Sequence, residues 1–241
     1  MIRALPDAEG VFQLEKLHVV PAVRHGFATR HGRLEEVTPA PAARLRQVHG
    51  SEVLALPRGT DARNPFYRTT VGERPPADAL MTDALGATVA VAVADCLPLL
   101  FADRGARAVA AVHAGWRGLA AGIIENTVAA LESMYGITPS DLVVGIGPAI
   151  GPCCFEVGPE VIEAFAARGY EAEARVSGPR HTRPYANLGA IAVAILGRLG
   201  VPDDHVAHAA VCTVCNSDWL WSYRAAGDAA GRMLCGIALV G

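Results

Sequence analysis

The amino-acid sequence predicts an α+β fold in which mixed, largely antiparallel sheets are layered against packed helices. Two apolar runs, 88–102 and 107–114, are separated by a short polar break, which is typical of antiparallel strands joined by a turn. The predicted strands and helices do not alternate strictly, which argues against a doubly wound parallel sheet. The sequence has no Ser/Gly-rich or charged linker, so residues 1–241 are expected to form a single domain.

The two apolar runs are interpreted as a β-hairpin with Arg104-Gly105 as a two-residue loop. In that register the numbers of opposed residues sum to 209, so Cys96 lies opposite His113 on the same face. Such a pair suits two ligands of one metal ion, or a thiolate beside its general base with Asp95 assisting. A buried thiol and a satisfied core histidine are the simpler interpretations. Pro98 has no N–H for the ladder, so a shifted register is the alternative.

The segment after His113 predicts a turn that enters a helix. It reads Ala114-Gly115-Trp116-Arg117-Gly118, and the arginine brings a fixed positive charge to the free N–H groups of a helix start. This pattern indicates anion binding, and simple turn geometry explains the glycines equally well.

The other elements follow from periodicity and from glycine and proline stops. Apolar residues at helical spacing predict a helix from about Leu119 to Tyr135, ended by Gly136. Before the hairpin, the sequence predicts a strand that runs into a turn at 25–30, a strand ending near Val48, a turn at His49-Gly50-Ser51, a strand at 52–56 and a polar loop at 57–77. After the helix, it predicts a buried strand at 142–146, helices at 159–169 and 189–199, and strands at 206–212 and 233–240.

Composition and charge limit the classes of function. The chain has 51% hydrophobic and 19% charged residues, as expected for a globular protein with a sizeable core. A net charge of −3 argues against a general nucleic-acid or membrane-surface binder. The N-terminal stretch lacks an apolar signal segment, and no apolar run reaches about 18 residues, so the expected compartment is the cytoplasm.

The six cysteines are expected to be reduced thiols in that compartment; they stand at positions 96, 153, 154, 212, 215 and 235. Cys212 and Cys215 form a C-x₂-C pair, and a structural Cys₄ zinc site would need a second pair. The sequence offers only the adjacent Cys153 and Cys154. Because adjacent cysteines chelate less well than a spaced pair, we interpret these four residues as buried thiols.

An ordered set of motifs runs from about residue 25 to the C-terminus. The motifs are His25-Gly-Phe-Ala-Thr-Arg30, Gln47-Val-His-Gly50, Ala77-Asp-Ala-Leu80, Ala94-Asp-Cys-Leu-Pro98, Ala111-Val-His-Ala-Gly-Trp-Arg-Gly118, Gly145-Ile-Gly-Pro-Ala-Ile-Gly-Pro-Cys-Cys-Phe-Glu-Val157, Cys212-Thr213, Ser222-Tyr-Arg224 and Gly231-Arg232. Together they resemble the laccase-domain family, whose members are also labelled polyphenol oxidases or peptidoglycan editing factors and are described as purine nucleoside phosphorylases. The segment 31–46 is shorter than is usual in that family, and Ala225 replaces a second arginine.

The resemblance implies a zinc-dependent enzyme. It places the metal ligands at His49, Cys96 and His113, and a His₂Cys set leaves one coordination position open, as in catalytic zinc sites. It also implies phosphorolysis of adenosine, inosine and methylthioadenosine, and deamination of adenosine. Phosphorolysis needs guanidinium groups that hold phosphate, and deamination fits water activated by a metal ion.

The remaining site residues are assigned on the same basis. Catalytic roles are expected for Asp95, Cys96, His113 and Arg30. Substrate contacts are expected from His25, Arg46, Arg117, Tyr223 and Arg224. The expected partners are purine nucleosides and phosphate, with no nucleic acid and no membrane, and the pattern leaves the oligomeric state undetermined.

Three other functions fit parts of the pattern. The first is a cysteine hydrolase in which Cys96 is the nucleophile and His113 the base. Because a zinc-bound thiolate is a poor nucleophile, metal occupancy distinguishes this hydrolase from the zinc-dependent enzyme. The second is a copper-dependent polyphenol oxidase, as the older family name implies, although copper oxidase sites need more histidines than this set supplies. The third is a non-catalytic interaction module stabilised by a metal ion, with a closed four-ligand site and no pocket.

Overall fold

A computed structural model describes residues 10–39, 41–56, 74–176 and 183–241 of the chain. The strands in these residues are Val11–Phe12 (β1), Val23–Ala28 (β2), Ala42–Ala43 (β3), Val53–Leu56 (β4), Ala79–Thr82 (β5), Thr88–Val93 (β6), Leu97–Asp103 (β7), Val109–Ala114 (β8), Leu142–Ile146 (β9), Arg175–Val176 (β10), Tyr185–Ala186 (β11), Val206–His208 (β12) and Met233–Leu239 (β13). The α-helices are Trp116–Ala120 (α1), Ile123–Tyr135 (α2), Pro159–Ala166 (α3), Glu171–Ala174 (α4), Leu188–Arg198 (α5) and Tyr223–Ala226 (α6). Most of the predicted polar loop at 57–77 lies outside the described residues.

Two sheets contain most of the strands. The first has the order β1-β2-β13-β6-β3, and the second has the order β12-β9-β7-β8-β5-β4. Both sheets are mixed, because β3 pairs with β6, β4 with β5 and β12 with β9 in parallel, whereas their other pairings are antiparallel. The predicted fold class, a single α+β domain with largely antiparallel mixed sheets, is therefore confirmed.

The two sheets face each other across one hydrophobic core, and helices cover the outer face of the second sheet. Along β7, Leu100 and Ala102 pack between the sheets, whereas Leu99 and Phe101 pack with the helices. This alternation is the period of two that a strand buried on both faces requires. On β8 the same alternation places His113 on the side that faces the first sheet, in line with Val109 and Ala111.

The predicted hairpin forms, but its register is different. Leu97 pairs with Ala114 and Pro98 with His113, so each residue of β7 has its partner two positions further along β8 than predicted. A two-residue loop needs a positive φ at its first central residue, and Arg104 is poorly suited to it. The chain forms a four-residue loop instead, in which Ala106 takes a φ of 54° and the Asp103 carboxylate accepts the backbone N–H of Arg107 at 2.8 Å. A shift of two residues preserves the face, so Cys96 lies diagonally across from His113.

The helix predicted from Leu119 to Tyr135 is interrupted. Gly122 adopts a φ of 90°, which separates α1 from α2, and Gly136 ends α2 as predicted with a φ of 64°. The helices predicted at 159–169 and 189–199 are present as α3 and α5. No helix in the described parts of the chain is both long enough and apolar enough to cross a membrane.

The strand predicted to end near Val48 is mostly absent, because the described residues 41–48 contain only β3 and an isolated bridge at Arg46. The side chain of Gln47 takes the place of a longer strand. Its amide donates to the carbonyl of Ala92 and accepts the N–H of the same residue, each at 2.8 Å. This pair of bonds fixes the turn at residues 48–50 against the end of β6.

Candidate metal centre and adjoining cavity

His49, Cys96 and His113 come together at one end of the second sheet. Their ligating atoms all lie within 4.8 Å of one another, compared with the separations of about 3–4 Å that bonds of roughly 2.0–2.3 Å to one ion require. The two imidazole rings are arranged edge to face, with centroids 4.8 Å apart. His113 is buried and His49 is exposed, so the cluster has a closed side and an open side. The three side chains come together as predicted, within a wider limit of 4.8 Å, and their role as metal ligands stays a prediction.

Asp78 fixes the closed side of the cluster. It precedes β5, and in the register of β5 with β8 it lies beside His113. Its carboxylate is fully buried, and its Oδ1 is 2.7 Å from Nδ1 of His113. Because Nδ1 is engaged, Nε2 is the nitrogen left to face Cys96, with which the ring makes a hydrogen bond. A carboxylate behind a histidine is the arrangement that orients and strengthens imidazole ligands of metal ions.

The same carboxylate stabilises a strained turn. His49 has a φ of 60°, in the left-handed region that residues with a side chain rarely adopt. Asp78 accepts the backbone N–H groups of His49 at 3.0 Å and of Gly50 at 2.7 Å, and that of Val48 at 3.2 Å. These three bonds compensate for the strain, so one buried carboxylate positions both histidines of the cluster.

Asp95 also has a positive φ, of 83°. Its Oδ1 accepts the hydroxyl of Thr213 at 2.5 Å, and its Oδ2 accepts the backbone N–H of Arg224 at 2.6 Å. The sequence predicted that Asp95 assists Cys96 in catalysis. In the structure its carboxylate joins the turn before β7 to the segments 212–215 and 222–224, which is a positioning contact.

The three groups of the cluster change one another's protonation. Burial favours the neutral thiol of Cys96, but hydrogen bonds from His113 and His49 outweigh burial and lower its pKa to about 7. Burial lowers the pKa of His113, but the Asp78 carboxylate and the Cys96 thiol together raise it to about 9. A metal ion requires a thiolate and neutral imidazoles. Cys96 is therefore close to the required state at neutral pH, whereas His113 must lose a proton.

Gly115 leaves room for the cluster to close. A Cβ atom at this position would lie 3.0 Å from Sγ of Cys96 and 3.3 Å from Cδ2 of His49. Any side chain would therefore press on two of the three proposed ligands, which explains a glycine here. One thiolate and two imidazoles form a donor set that zinc and copper both accept, so the residues present fit a metal ion.

The cluster forms part of the wall of a cavity of about 640 Å³, within the range of small-molecule sites. The wall continues with the apolar side chains Ile150 and Phe155 and with the polar side chains Tyr223, Arg224, Asp228 and Arg232. A smaller cavity of about 160 Å³ shares His49 and Cys96 and adds Trp116 and Arg117. The arrangement suits a ligand with one apolar part and one anionic part.

Three of the predicted substrate contacts line these cavities. Arg117 lies over the ring of Trp116 at 4.5 Å in the smaller one. Tyr223 and Arg224 line the larger one, at the start of α6. The guanidinium of Arg224 donates to the carbonyls of Cys154 at 3.2 Å and of Glu156 at 3.1 Å, so it holds the segment that carries Phe155.

Three other predicted residues do not reach the described lining of either cavity. Arg30 donates to the carbonyl of Ser217 at 2.8 Å and lies over the ring of Trp221. Arg46 is exposed, and its backbone pairs with Pro76. His25 is completely buried; its Nε2 accepts the N–H of Leu14 at 2.9 Å, and burial lowers its pKa to about 3. The contacts described for Arg30 and His25 are with the protein itself, and the roles of all three residues at the substrate stay predictions.

The roles of Gln47, Asp78 and Arg232 were not predicted from the sequence. All three lie within the quoted motifs, so the motifs contained the signal. A buried carboxylate and a side-chain amide bound to a strand edge become recognisable only when their partners are known.

The four cysteines that we interpreted as buried thiols also form a cluster. The sulfur atoms of Cys153, Cys154, Cys212 and Cys215 all lie within 4.8 Å of one another. Cys153 and Cys215 are exposed, so the interpretation as buried thiols is wrong for these two. The adjacent pair lies in a turn, where neighbouring side chains are not forced to opposite sides as they are in a strand. All six cysteines are free in the structure.

Comparison with known proteins gives an independent result. The profile of a family described as multi-copper polyphenol oxidoreductase laccase matches residues 22–240. Purine nucleoside phosphorylase YfiH of Escherichia coli strain K12 is 38% identical over 203 residues, which cover 84% of this chain and 75% of that protein. A purine nucleoside phosphorylase of Pseudomonas aeruginosa is 43% identical over 164 residues, which cover 66% of this chain and 65% of that protein.

Solved structures agree with the fold. The crystal structure of hypothetical protein YfiH from Bacillus licheniformis superimposes with a TM-score of 0.83 at 25% identity and covers 97% of both chains. The crystal structure of YlmD from Geobacillus stearothermophilus superimposes with a TM-score of 0.78 at 26% identity and covers 98% of both chains.

Proposed function

Since this chain belongs to the multi-copper polyphenol oxidoreductase laccase family, we propose that it is a zinc-dependent enzyme that cleaves purine nucleosides with phosphate. The names of relatives at 38% and 43% identity support this class of reaction. The observation that carries the proposal is the position of His49, Cys96 and His113 in the wall of a cavity that also contains arginine side chains. The expected substrates are adenosine, inosine and methylthioadenosine, with deamination of adenosine as a second activity.

A zinc ion at this cluster would be held by Sγ of Cys96, by Nε2 of His113 and by an imidazole nitrogen of His49. Three protein ligands leave one position open, which is the pattern of catalytic zinc. When bound, the ion supplies Lewis-acid polarisation of a substrate atom and activation of water. Asp78 keeps the imidazole of His113 in the tautomer that exposes Nε2, and it holds the turn that presents His49.

Phosphorolysis is a substitution at the ribose. A phosphate oxygen forms a bond to C1′ while the C1′–N9 bond breaks, and the electron pair of that bond passes to the purine. The proton of hydrogen phosphate passes to N9, and the products are the free base and ribose 1-phosphate, or methylthioribose 1-phosphate when the substrate is methylthioadenosine. The protein must therefore hold an anion in line with C1′ and place the purine against an apolar surface.

Two arginines line the larger cavity, and their contacts separate their roles. Arg224 uses both terminal nitrogens on the carbonyls of Cys154 and Glu156, so it is a positioning residue. Arg232 uses Nη1 on the neighbouring carbonyls of Ala230 and Gly231, each at 2.9 Å. A guanidinium has five N–H donors. We therefore assign the phosphate contact to Arg232 and the purine contact to Phe155, which lines the same cavity.

A cysteine hydrolase is the second candidate, and one observation favours it. Asp78, His113 and Cys96 form a hydrogen-bonded series, and the pKa of Cys96 is lowered to about 7, as in an activated nucleophile. A second imidazole, from His49, also contacts the thiol. One base is sufficient to activate a nucleophile, whereas two imidazoles and a thiolate are what a metal ion requires, so the metal centre is preferred.

Product analysis with and without phosphate tests the proposal. Zinc-loaded protein is incubated with adenosine, inosine or methylthioadenosine, and the free base, the sugar 1-phosphate and any inosine formed from adenosine are measured. We expect release of base that depends on phosphate and is absent from His113→Ala. Release of base without phosphate would indicate a hydrolase, and ester or amide cleavage by metal-free protein would support the cysteine nucleophile.

A further inference from the structure

A second cysteine cluster lies beside the cavity wall. Cys153 and Cys154 lie in a turn after β9, where the N–H groups of Cys154 and Phe155 both donate to the carbonyl of Gly151 at 3.0 Å. Cys212 and Cys215 lie in a second turn after β12, where the carbonyl of Cys212 accepts the N–H of Asn216. Two tight turns therefore present four thiols to one point.

Backbone hydrogen bonds hold the two turns side by side. Ala149 donates its N–H to the carbonyl of Val211 at 3.2 Å and accepts the N–H of Thr213 at 3.0 Å. These bonds form a parallel bridge between Ala149 and Cys212. The relative position of the two pairs is thus set by the backbone and does not depend on the thiols.

Two of the sulfur–sulfur distances are close to those of a tetrahedral site. In a tetrahedral site with Zn–S bonds of about 2.3 Å, the sulfur atoms are about 3.8 Å apart. Here Sγ of Cys215 is 3.5 Å from Sγ of Cys153 and 3.5 Å from Sγ of Cys154, and all four sulfurs lie within 4.8 Å of one another. A disulfide would bring two sulfurs to about 2.05 Å.

Gly151 allows this close approach. A Cβ atom there would lie 3.0 Å from Cβ of Cys212 and 3.3 Å from Sγ of Cys153. Its N–H donates to Sγ of Cys212 at 3.2 Å, and an N–H bond to sulfur favours the thiolate that a metal ion needs. The glycine therefore serves the cluster in two ways, by its lack of a side chain and by its amide.

From this geometry we propose that Cys153, Cys154, Cys212 and Cys215 form a structural zinc site, separate from the His₂Cys cluster. Four thiolates in tetrahedral arrangement select zinc or iron among the common metals, and four protein ligands close the coordination sphere. A closed site has no position for substrate. The zinc ion joins the turn at 151–154 to the turn at 212–215.

The site stabilises the wall of the larger cavity. Phe155, which follows the adjacent cysteines, lines that cavity, and Thr213 between the other two donates to Asp95. Arg224 donates to the carbonyl of Cys154. Loss of this zinc therefore lowers the melting temperature and loosens the wall, and it leaves the ligands at His49, Cys96 and His113 in place.

Zinc content and coordination test this inference. Protein purified in the presence of a reductant is loaded with zinc, dialysed and analysed for metal, and zinc X-ray absorption gives the ligand types. We expect about two zinc ions per chain in wild-type protein and about one in Cys215→Ser. Cys215 is exposed, so its replacement carries little risk to folding. Cys235→Ala, which removes a buried thiol outside both clusters, should retain two.

The single-site variants distinguish the two centres. In His113→Ala the remaining zinc should have four sulfur ligands, and in Cys215→Ser it should have one sulfur and two imidazole nitrogens. Wild-type protein with zinc bound by four sulfurs and no metal at the His₂Cys cluster would support this inference and contradict the proposed function. Equal zinc content in Cys215→Ser and wild type, iron in place of zinc, or a disulfide between Cys215 and either adjacent cysteine in reduced wild-type protein would overturn it.

Discussion

The two cysteine-containing clusters differ in the number and type of their ligands and in the groups that surround them. The first combines one thiol with two histidines, and it has a buried carboxylate on one side and a cavity of about 640 Å³ on the other. The second has four thiols on two turns that the backbone holds together. Three protein ligands leave a position for substrate, whereas four close the site. The comparison indicates that the chemistry of a cluster depends on its number of ligands and on what lies behind them.

Removal of one ligand from each cluster gives the largest contrast. His113→Ala should lose the His₂Cys metal and all phosphorolysis, because a ligand and the contact to Asp78 disappear together. Cys215→Ser should keep the first metal and most of kcat, because it leaves the first cluster intact, but it should lose thermal stability and raise KM for the nucleoside, because the wall that carries Phe155 is loosened. Steady-state kinetics, metal analysis and melting curves of both variants measure this difference. Equal loss of activity in the two variants would contradict the division of roles.

Replacement of the buried carboxylate should have the next largest effect. Asp78→Asn keeps the shape of the side chain but weakens its bonds to His113 and to the turn at residues 48–50. Loss of such a partner typically costs about 10–100-fold in metal affinity or activity. Zinc affinity is measured by competition with a chelator of known affinity. An unchanged affinity of the first cluster would show that Asp78 does not position its ligands.

The arginine assignment predicts a smaller and more specific effect. Arg232→Ala should raise KM for phosphate by about tenfold to hundredfold, because a charge-assisted hydrogen bond contributes about 1.5–3 kcal/mol. Zinc content and KM for the nucleoside should change little. Arg30→Ala is the matched comparison, since this guanidinium lies over Trp221. The sequence predicted a catalytic role for Arg30, and a larger effect on KM for phosphate in Arg30→Ala than in Arg232→Ala would move the phosphate contact to Arg30.

The smallest predicted effect concerns the dependence of unfolding free energy on pH, to which His25 contributes. His25 is buried and neutral, and burial lowers its pKa to about 3 from an ordinary value near 6.5. The unfolded chain binds the proton more readily, so the contribution of His25 to stability is full above pH 6.5. It falls as the pH decreases toward 3, by up to about 1.4 kcal/mol per pH unit.

His25→Gln should therefore show a flatter decline of unfolding free energy between pH 6.5 and 5, measured by urea denaturation. The glutamine carbonyl replaces the acceptor for the N–H of Leu14. Equal slopes for wild type and variant would mean that another group controls the acid instability. The same measurements identify the pH range in which the protein stays folded, and loss of metal within that range reflects the clusters themselves.

Much of the fold and part of the site followed from the sequence, because their signals are local or lie in motifs. Gly136 ended its helix as predicted, and the motifs placed His49, Cys96 and His113 in one cluster. The hairpin register was missed because it depends on the turn, which the Asp103 side chain holds open to four residues.

The cysteine cluster was missed for a different reason. Adjacent cysteines in an extended chain point apart, and only the turn stabilised by the carbonyl of Gly151 brings them to the same side. The pairing of Ala149 with Cys212 joins segments far apart in sequence, and no local pattern contains that information.

Zinc titration of metal-free Cys215→Ser tests the central claim most directly, because in this variant the His₂Cys cluster is the one remaining proposed site. Phosphate-dependent release of base from inosine is measured after each addition of zinc, at a temperature well below the melting transition. We predict no activity without zinc, a linear rise in activity as zinc is added, and saturation at about one equivalent of zinc per chain. Full activity of the metal-free protein, or none at any zinc concentration, would contradict it.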